Sequence, residues 1–237
     1  MAFYSDFAGS YEEIFPFRTE AAAFLDHWLP DRGRVLDIGC GTGQYCRHLE
    51  GGGRACVGID LDPGMIEEAQ RLHPSGDFRI MGMEEIGLLT HGAYDGVFCI
   101  GNVLPHLPTE GLAGFLQAIR ALLRPGGVWL FQTVNFDPIL EFDEYVLPPI
   151  RPGDGSLVFR RVYRDITPQR LVFTTVLERD GEEIFGGETI LHPRTSEDLV
   201  SRHRETGFRL LAHVADWSGR RYVASAGGGN IFVWERA

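Results

Sequence analysis

Residues 35–43, Val-Leu-Asp-Ile-Gly-Cys-Gly-Thr-Gly, constrain the fold of this chain more than any other stretch. An apolar run ends there in a glycine-rich turn, and a polar, helix-like segment from Gln44 to Leu49 follows. This pattern predicts a β-strand, a tight turn and the start of a helix, a geometry in which backbone approaches a nucleoside closely. Asp37 lies within the motif, and Asp60 ends the next apolar run at a distance that suits a carboxylate on ribose hydroxyls. Together these features predict a nucleoside cofactor.

Apolar runs and amphipathic segments alternate through the first part of the chain. Five strands are predicted there, at 34–38, 55–60, 77–81, 93–100 and 128–134. Helical segments between consecutive strands imply a parallel sheet with right-handed crossovers.

The pattern changes after the fifth strand. Three segments without helices between them should pair as antiparallel strands: 157–163, 170–178 and 183–192. A helix that begins at Ser196 then precedes two last strands, at 208–214 and 230–235. We therefore expect an α/β fold, a Rossmann-like seven-stranded doubly wound sheet with an antiparallel β-rich insertion after the fifth strand. The whole chain, 1–237, is expected to form one domain, with an N-terminal helical cap at 1–30 and a lid at 141–193.

The charge and the cysteines argue against several classes of function. The formal net charge is −11, whereas a nucleic-acid-binding surface normally carries a basic patch, so no nucleic-acid partner is expected. No apolar run approaches the roughly 18 residues of a membrane helix, and the N-terminus does not resemble a secretion signal. The four cysteines include no C-x-x-C pair, which disfavours a zinc site and fits reduced thiols. The sequence thus predicts a cytoplasmic monomer or homodimer with a small-molecule partner and no membrane or metal partner.

The glycine motif, Asp60 and the β-α order together resemble the class I methyltransferases that depend on S-adenosylmethionine (SAM). SAM has no phosphates, so its binding loop needs close backbone approach rather than a lysine. The resemblance implies that Asp37 holds the methionine amino end and that Asp60 accepts hydrogen bonds from both ribose hydroxyls. The SAM-binding residues that it implies are Arg18, Asp37, Gly39, Cys40, Gly41, Gly43, Asp60, Leu61, Met65, Met83, Glu84, Ile100 and Gly101.

Three further stretches resemble the glycine and sarcosine N-methyltransferases, namely 11–19, 101–108 and 135–140. That resemblance implies that Arg18 pairs with the SAM carboxylate, that Asn135 holds the methyl acceptor and that Tyr11 lines the acceptor pocket. His106 follows the fourth strand at the ligand-binding edge of such a sheet, which makes it a candidate to orient or deprotonate the acceptor.

One position departs from that branch. Where its glycine-binding members carry an arginine for the substrate carboxylate, this chain has Glu188, which would attract an ammonium group instead. A carboxylate clamp on a neighbouring strand would have to come from Arg160, Arg161 or Arg164.

The function that the sequence favours is SAM-dependent methylation of a small molecule, at an amine or amino-acid nitrogen. The alternatives are O-methylation of a metabolite carboxylate or hydroxyl, and a SAM-binding regulator without turnover. A nicotinamide-dependent dehydrogenase is the nearest rival for the glycine turn. Asn135 and Asp137 also suit a magnesium site, but the carboxylate expected from the end of the fourth strand is missing, so no metal is expected.

Overall fold

A computed structural model describes residues 9–237, so the first eight residues of the predicted helical cap lie outside the described residues. The helices of the described part are α1 (Tyr11–Ile14), α2 (Thr19–Trp28), α3 (Gln44–Gly51), α4 (Pro63–Leu72), α5 (Leu112–Leu122) and α6 (Ser196–Glu205). Its strands are β1 (Gly33–Ile38), β2 (Arg54–Asp60), β3 (Asp77–Ile80), β4 (Tyr94–Cys99), β5 (Leu123–Val134), β6 (Tyr145–Ile150), β7 (Leu157–Arg164), β8 (Leu171–Arg179), β9 (Glu182–Leu191), β10 (Phe208–Val214) and β11 (Gly229–Arg236).

Seven of these strands form one mixed sheet, in the order β10-β11-β5-β4-β1-β2-β3. The five strands from β1 to β5 run parallel, whereas β11 is antiparallel to both β5 and β10. The predicted seven-stranded α/β sheet is therefore confirmed. The strand order reverses between β1 and β4, because the connections from these two neighbouring strands run in opposite directions. A crevice opens at this point, at the carboxyl ends of the strands.

Helices cover both faces of this sheet, as the doubly wound prediction requires. On one face, α2, α3 and α4 bury Leu25, Leu49 and Ile66 against the strands. On the other face, α5 and α6 bury Leu116 and Leu199 together with large aromatic side chains of β5 and β11. Because both faces are covered, the central strands are apolar along almost their whole length.

The insertion after β5 forms a second sheet, in the antiparallel order β6-β7-β8-β9. We call this sheet the lid. It contains the three strands that the sequence predicts and a fourth, β6, which the sequence analysis missed. β6 carries Pro148 and Pro149, which argue against a strand, but it lies at the edge of the sheet, where proline is tolerated.

Two small apolar clusters hold the lid in place. Phe136 and Ile139, which follow β5, pack with Tyr163 and Leu171 of the lid. Ile14 of α1 packs with lid residues that include Phe159. The N-terminal segment and the lid therefore meet on the same side of the main sheet.

Two boundaries differ from the sequence prediction. The predicted N-terminal helix is interrupted at Phe15–Arg18, where Pro16 lies between α1 and α2. β5 begins at Leu123, before the Pro-Gly-Gly segment that was expected to introduce the strand at Val128. Within residues 9–237, no helix has the length and apolar character needed to cross a membrane.

Candidate functional site

A cavity of about 820 Å³ lies at the carboxyl edge of β1, β2 and β4, between the main sheet and the lid. Cavities of about 300–1,000 Å³ hold drug-sized molecules, so this one has room for a nucleoside and a further small molecule. Its lining comes from the glycine turn, the segments after β2, β3 and β4, the lid and the N-terminal segment.

The glycine turn has the conformation that its sequence predicts. Gly39 has a φ of 74°, and a Cβ there would lie 2.6 Å from the methyl groups of Val103. Gly39, Cys40 and Gly41 line the cavity. Gly43 does not: it begins α3 with a φ of 80°, and its missing Cβ leaves space for the Phe78 ring. Gly43 therefore has a packing role against β3, and its predicted contact with the cofactor stays a prediction.

Asp37 lies at the floor of the cavity and is almost fully buried. The Cys46 thiol approaches its Oδ2 at 3.7 Å, while Oδ1 has no hydrogen-bond partner. Burial raises the pKa of Asp37 well above its usual range, and the negative charge of Asp60 raises it further. An ammonium group beside Oδ1 would give this carboxylate its missing partner.

Asp60 lies at the end of β2, beside the glycine turn. Its Oδ2 accepts a hydrogen bond from Gly41 N at 3.0 Å, and its Oδ1 accepts one from Asp62 N at 2.9 Å. Burial raises the pKa of Asp60, although these backbone hydrogen bonds lower it. Each carboxylate oxygen has a second lone pair, so the group can also accept hydrogen bonds from a ligand.

The remaining predicted cofactor residues also line this cavity, except for Gly43. They are Arg18, Leu61, Met65, Met83, Glu84, Ile100 and Gly101. The cavity places these residues together, and their roles toward a cofactor stay predictions. Burial, followed by the charge of Asp37, raises the pKa of Cys40 well above its usual range, so this thiol stays protonated.

Tyr11 and His106 both line the cavity, as the sequence predicts. The Tyr11 ring lies over the glycine turn, with Cε1 3.4 Å from the position of a Cβ on Gly41. Burial and the charges of Asp60 and Asp37 raise the pKa of Tyr11, so its hydroxyl keeps its proton. Burial lowers the pKa of His106 to about 4, and the charge of His192 contributes to the shift. His106 is therefore a neutral imidazole near neutral pH.

Asn135 is not among the cavity-lining residues, although the sequence predicts that it holds the acceptor. Its Nδ2 donates to the carbonyl oxygens of Ala224 and Ala226, and its Oδ1 accepts from Asp137 N and lies 3.0 Å from the Tyr222 hydroxyl. Both amide protons of Asn135 are therefore used by the loop between β10 and β11, which this side chain anchors, and the predicted contact with the acceptor stays a prediction.

Glu188 is also outside the cavity lining. It is exposed on β9 and accepts a hydrogen bond from Thr174 Oγ1 at 3.0 Å. Of the three arginines considered for a carboxylate clamp, Arg161 lines the cavity, whereas Arg160 and Arg164 do not.

Several lining residues were not predicted from the sequence. They are aromatic or amide side chains on the lid, β5 and the loop after β10, namely Phe159, Tyr163, Phe173, Gln132 and Trp217. The spacing of 159, 161 and 163 is the period of a strand and would have placed these three on one face. Within residues 9–237, no group of three or more His, Cys, Asp or Glu side chains is arranged to hold a metal ion.

Comparisons with known proteins agree with this geometry. Residues 35–127 match the family described as a methyltransferase domain. This match covers less than half of the chain and includes the glycine turn and Asp60. The ubiquinone biosynthesis O-methyltransferase of Bordetella bronchiseptica is 38% identical over 133 residues, 52% of this chain and 54% of that protein. The enzyme of the same name from Xanthomonas axonopodis pv. citri is 34% identical over 114 residues, 46% of each chain. These matches therefore span about half the length of the curated relatives.

Solved methyltransferase structures resemble the whole chain. An amino pentose methyltransferase from Micromonospora echinaspora, solved with SAM bound and involved in calicheamicin biosynthesis, is 25% identical with a TM-score of 0.68, over 92% of this chain and 89% of that one. The CcbJ methyltransferase of Streptomyces caelestis is 21% identical with a TM-score of 0.80, over 100% of this chain and 98% of that one. The second likeness, at 21% identity, shows the fold alone.

Proposed function

We propose that this protein transfers the methyl group of SAM to a hydroxyl oxygen of a small molecule, with His106 as the proton acceptor. The observation that carries the proposal is that one cavity joins the residues suited to SAM, Asp37 and Asp60, to a neutral imidazole. The donor and the nucleophile would then lie within one enclosed space, which aligns them and excludes water.

The residues of the cavity fit SAM at several points. The unpartnered Oδ1 of Asp37 suits the ammonium group of the methionine part, and Asp60 can accept hydrogen bonds from ribose hydroxyls. Arg18 lines the same cavity and suits the carboxylate of SAM. When bound, SAM supplies a methyl group that is already activated by its sulfonium.

The transfer needs one proton to leave the acceptor. In our proposal the hydroxyl oxygen forms a bond to the methyl carbon as the carbon–sulfur bond breaks, which leaves S-adenosylhomocysteine (SAH). The hydroxyl proton passes to His106, which is neutral and therefore able to accept it near neutral pH. The Tyr11 hydroxyl keeps its proton and lines the same cavity, over the glycine turn.

Charge on the lid side of the cavity favours a hydroxyl over a cationic amine. Glu188, which would attract an ammonium group, is exposed outside the cavity, whereas Arg161 lies within its lining and would repel one. The curated relatives, which are named O-methyltransferases and match about half of the chain, support the same choice.

Transfer to an amine or amino-acid nitrogen is the second candidate. The amino pentose methyltransferase supports it, because its likeness covers 92% of this chain. A neutral amine is a sufficient nucleophile once it has lost its ammonium proton.

The test is methyl transfer from labelled SAM to acceptors that share a skeleton. We would compare catechol and meta-hydroxybenzoate with aniline and meta-aminobenzoate, and add glycine, sarcosine and a polyamine. Label in the hydroxyl compounds supports the proposal, and label in the nitrogen compounds supports the second candidate. SAH binding without transfer to any acceptor would instead favour a SAM-binding regulator and would overturn the proposed activity.

A further inference from the structure

Arg161 differs from the two neighbouring arginines of β7. Arg160 pairs with Glu178 at 2.8 Å and Arg164 pairs with Glu144 at 3.3 Å, both on the exposed side of the lid. Side chains alternate between the two faces of a strand, so Arg161 points the other way and lines the cavity.

The guanidinium of Arg161 lacks a partner for part of its hydrogen-bonding capacity. Its Nη2 donates to the carbonyl oxygen of Pro148 at 2.9 Å, but its Nε is buried without a hydrogen-bond partner. Among residues 9–237, no carboxylate lies within 4.0 Å of it in an ion pair. Burial lowers the pKa of Arg161, which shows that this cation has lost water without gaining a negative partner.

The wall around Arg161 is aromatic. Phe159 and Tyr163 lie two positions before and after it on β7, and Phe173 lines the cavity from β8. The acids that line the cavity, Asp37 among them, lie at the carboxyl ends of β1 and β2 or after β2 and β3 rather than on the lid. The cavity is therefore acidic at the cofactor end and cationic on the lid.

The position of Tyr163 relates Arg161 to the reaction centre. The Tyr163 side chain is hydrogen-bonded to Asn102, which follows Gly101 at the end of β4. Two residues along a strand span about 7 Å, so Arg161 lies roughly that far from Tyr163 along the lid. That spacing is close to the width of one substituted aromatic ring.

We infer that Arg161 binds a carboxylate of the methyl acceptor, and that the acceptor is an aromatic or other ring-containing carboxylic acid. A guanidinium can hold a carboxylate through two parallel hydrogen bonds, one of them from Nε. The aromatic residues of the lid would pack against the ring, and the reacting group would point toward Asn102 and His106. This inference rests on the proposed function, because it names the acceptor of the same cavity.

The test is the binding of matched acids and amides to the SAH-loaded protein, measured by titration calorimetry. The probes are benzoate, para-hydroxybenzoate and cinnamate, each compared with its primary amide. We expect at least one acid to bind about tenfold or more tightly than its amide, because the amide keeps the shape and loses the charge. Equal binding of acids and amides, or no binding of any acid at millimolar concentration, would overturn the inference.

Variants on the two faces of β7 supply the controls. Arg161→Gln should abolish the preference for acids, whereas Arg160→Gln, which removes a matched arginine from the exposed face, should leave it unchanged. Arg161→Lys keeps the charge without the planar fork and should retain part of the preference, which guards against a folding defect in Arg161→Gln. Retention of the full preference in Arg161→Gln would reject the role of this residue.

Different results would contradict the carboxylate inference and the proposed activity. If the wild-type protein bound SAH and transferred methyl groups without any preference for acids, the carboxylate inference alone would be lost. If the protein bound acids through Arg161 but transferred no methyl group, the proposed activity would be lost and the anion site would remain.

Discussion

The side-chain amide of Asn135 donates to the carbonyl oxygen of Ala226 at 2.7 Å, which ties the loop between β10 and β11 to the end of β5. The same loop carries Trp217, whose ring packs against Phe24 of α2 at a centroid distance of 5.5 Å and lines the cavity. Asn135 thus anchors the loop that carries Trp217 at the cavity.

Replacing Asn135 with Ala should lower the free energy of unfolding by about 1–3 kcal/mol, since two backbone carbonyls lose their donor. Urea denaturation measures this change. Ser218→Ala, in the same loop but bonded only to Asp216, should change stability little. Unchanged stability with lost turnover in Asn135→Ala would support the acceptor role that the sequence suggested.

Replacing Asp60 with Ala should raise the dissociation constant for SAH about tenfold or more, because charge-assisted hydrogen bonds to the ribose would be lost. Calorimetric titration measures the constant. Asp77→Ala removes an exposed acid that pairs with Arg79 and should leave it unchanged. An unchanged constant in Asp60→Ala would show that the ribose lies elsewhere.

Replacing His106 with Gln should lower turnover by roughly a hundredfold if the residue removes the acceptor proton, while SAH binding persists. The wild-type profile against pH offers an independent test. Because the pKa of His106 is lowered to about 4, the base is neutral above that pH, and activity should be lost only as pH falls toward 4. A decline that begins near pH 6.5, the usual value for histidine, would contradict a buried base.

Stability should also depend on pH through His203 of α6. This side chain is fully buried, stacks on Trp234 at 4.6 Å and accepts a hydrogen bond from Trp129 Nε1 at 3.0 Å. Burial lowers its pKa to about 3, whereas the unfolded chain has the usual value near 6.5.

The unfolded state therefore binds more protons than the folded state between these two values. The contribution of His203 is fully present above pH 6.5 and is lost as pH falls toward 3, by up to about 1.4 kcal/mol per pH unit. Comparing urea denaturation of the wild type and His203→Gln across this range isolates the effect. Parallel pH curves for the two proteins would exclude it.

Local sequence was enough to predict the main sheet and the cofactor side of the site. The glycine turn and Asp60 follow directly from strand ends, and parallel strands bring their carboxyl ends to one edge of the sheet. His106 was placed by the same argument. Arg161 could not be separated from Arg160 and Arg164, because a shift of one residue in register moves a side chain to the opposite face.

The surroundings of three other residues depend on contacts between distant parts of the chain, which the sequence does not reveal. Asn135 also follows a strand end, but its partners lie about ninety positions further along, at Ala224 and Ala226, which no local pattern reveals. The sequence gives the position of Glu188 along β9 but not the face of the lid on which its side chain lies. The sequence motif groups Gly43 with the other glycines of the turn, whereas in the structure its missing Cβ leaves space for the Phe78 ring of β3.

The two sheets contribute residues to the site from separate segments of the chain. The residues suited to the cofactor all precede position 102, whereas the aromatic wall and Arg161 belong to the strands between positions 157 and 179. The lid is one continuous segment of the chain, and its strands pair with one another rather than with the main sheet. Exchange of this segment alone between related proteins would redirect the chemistry to new acceptors while the donor machinery is inherited unchanged.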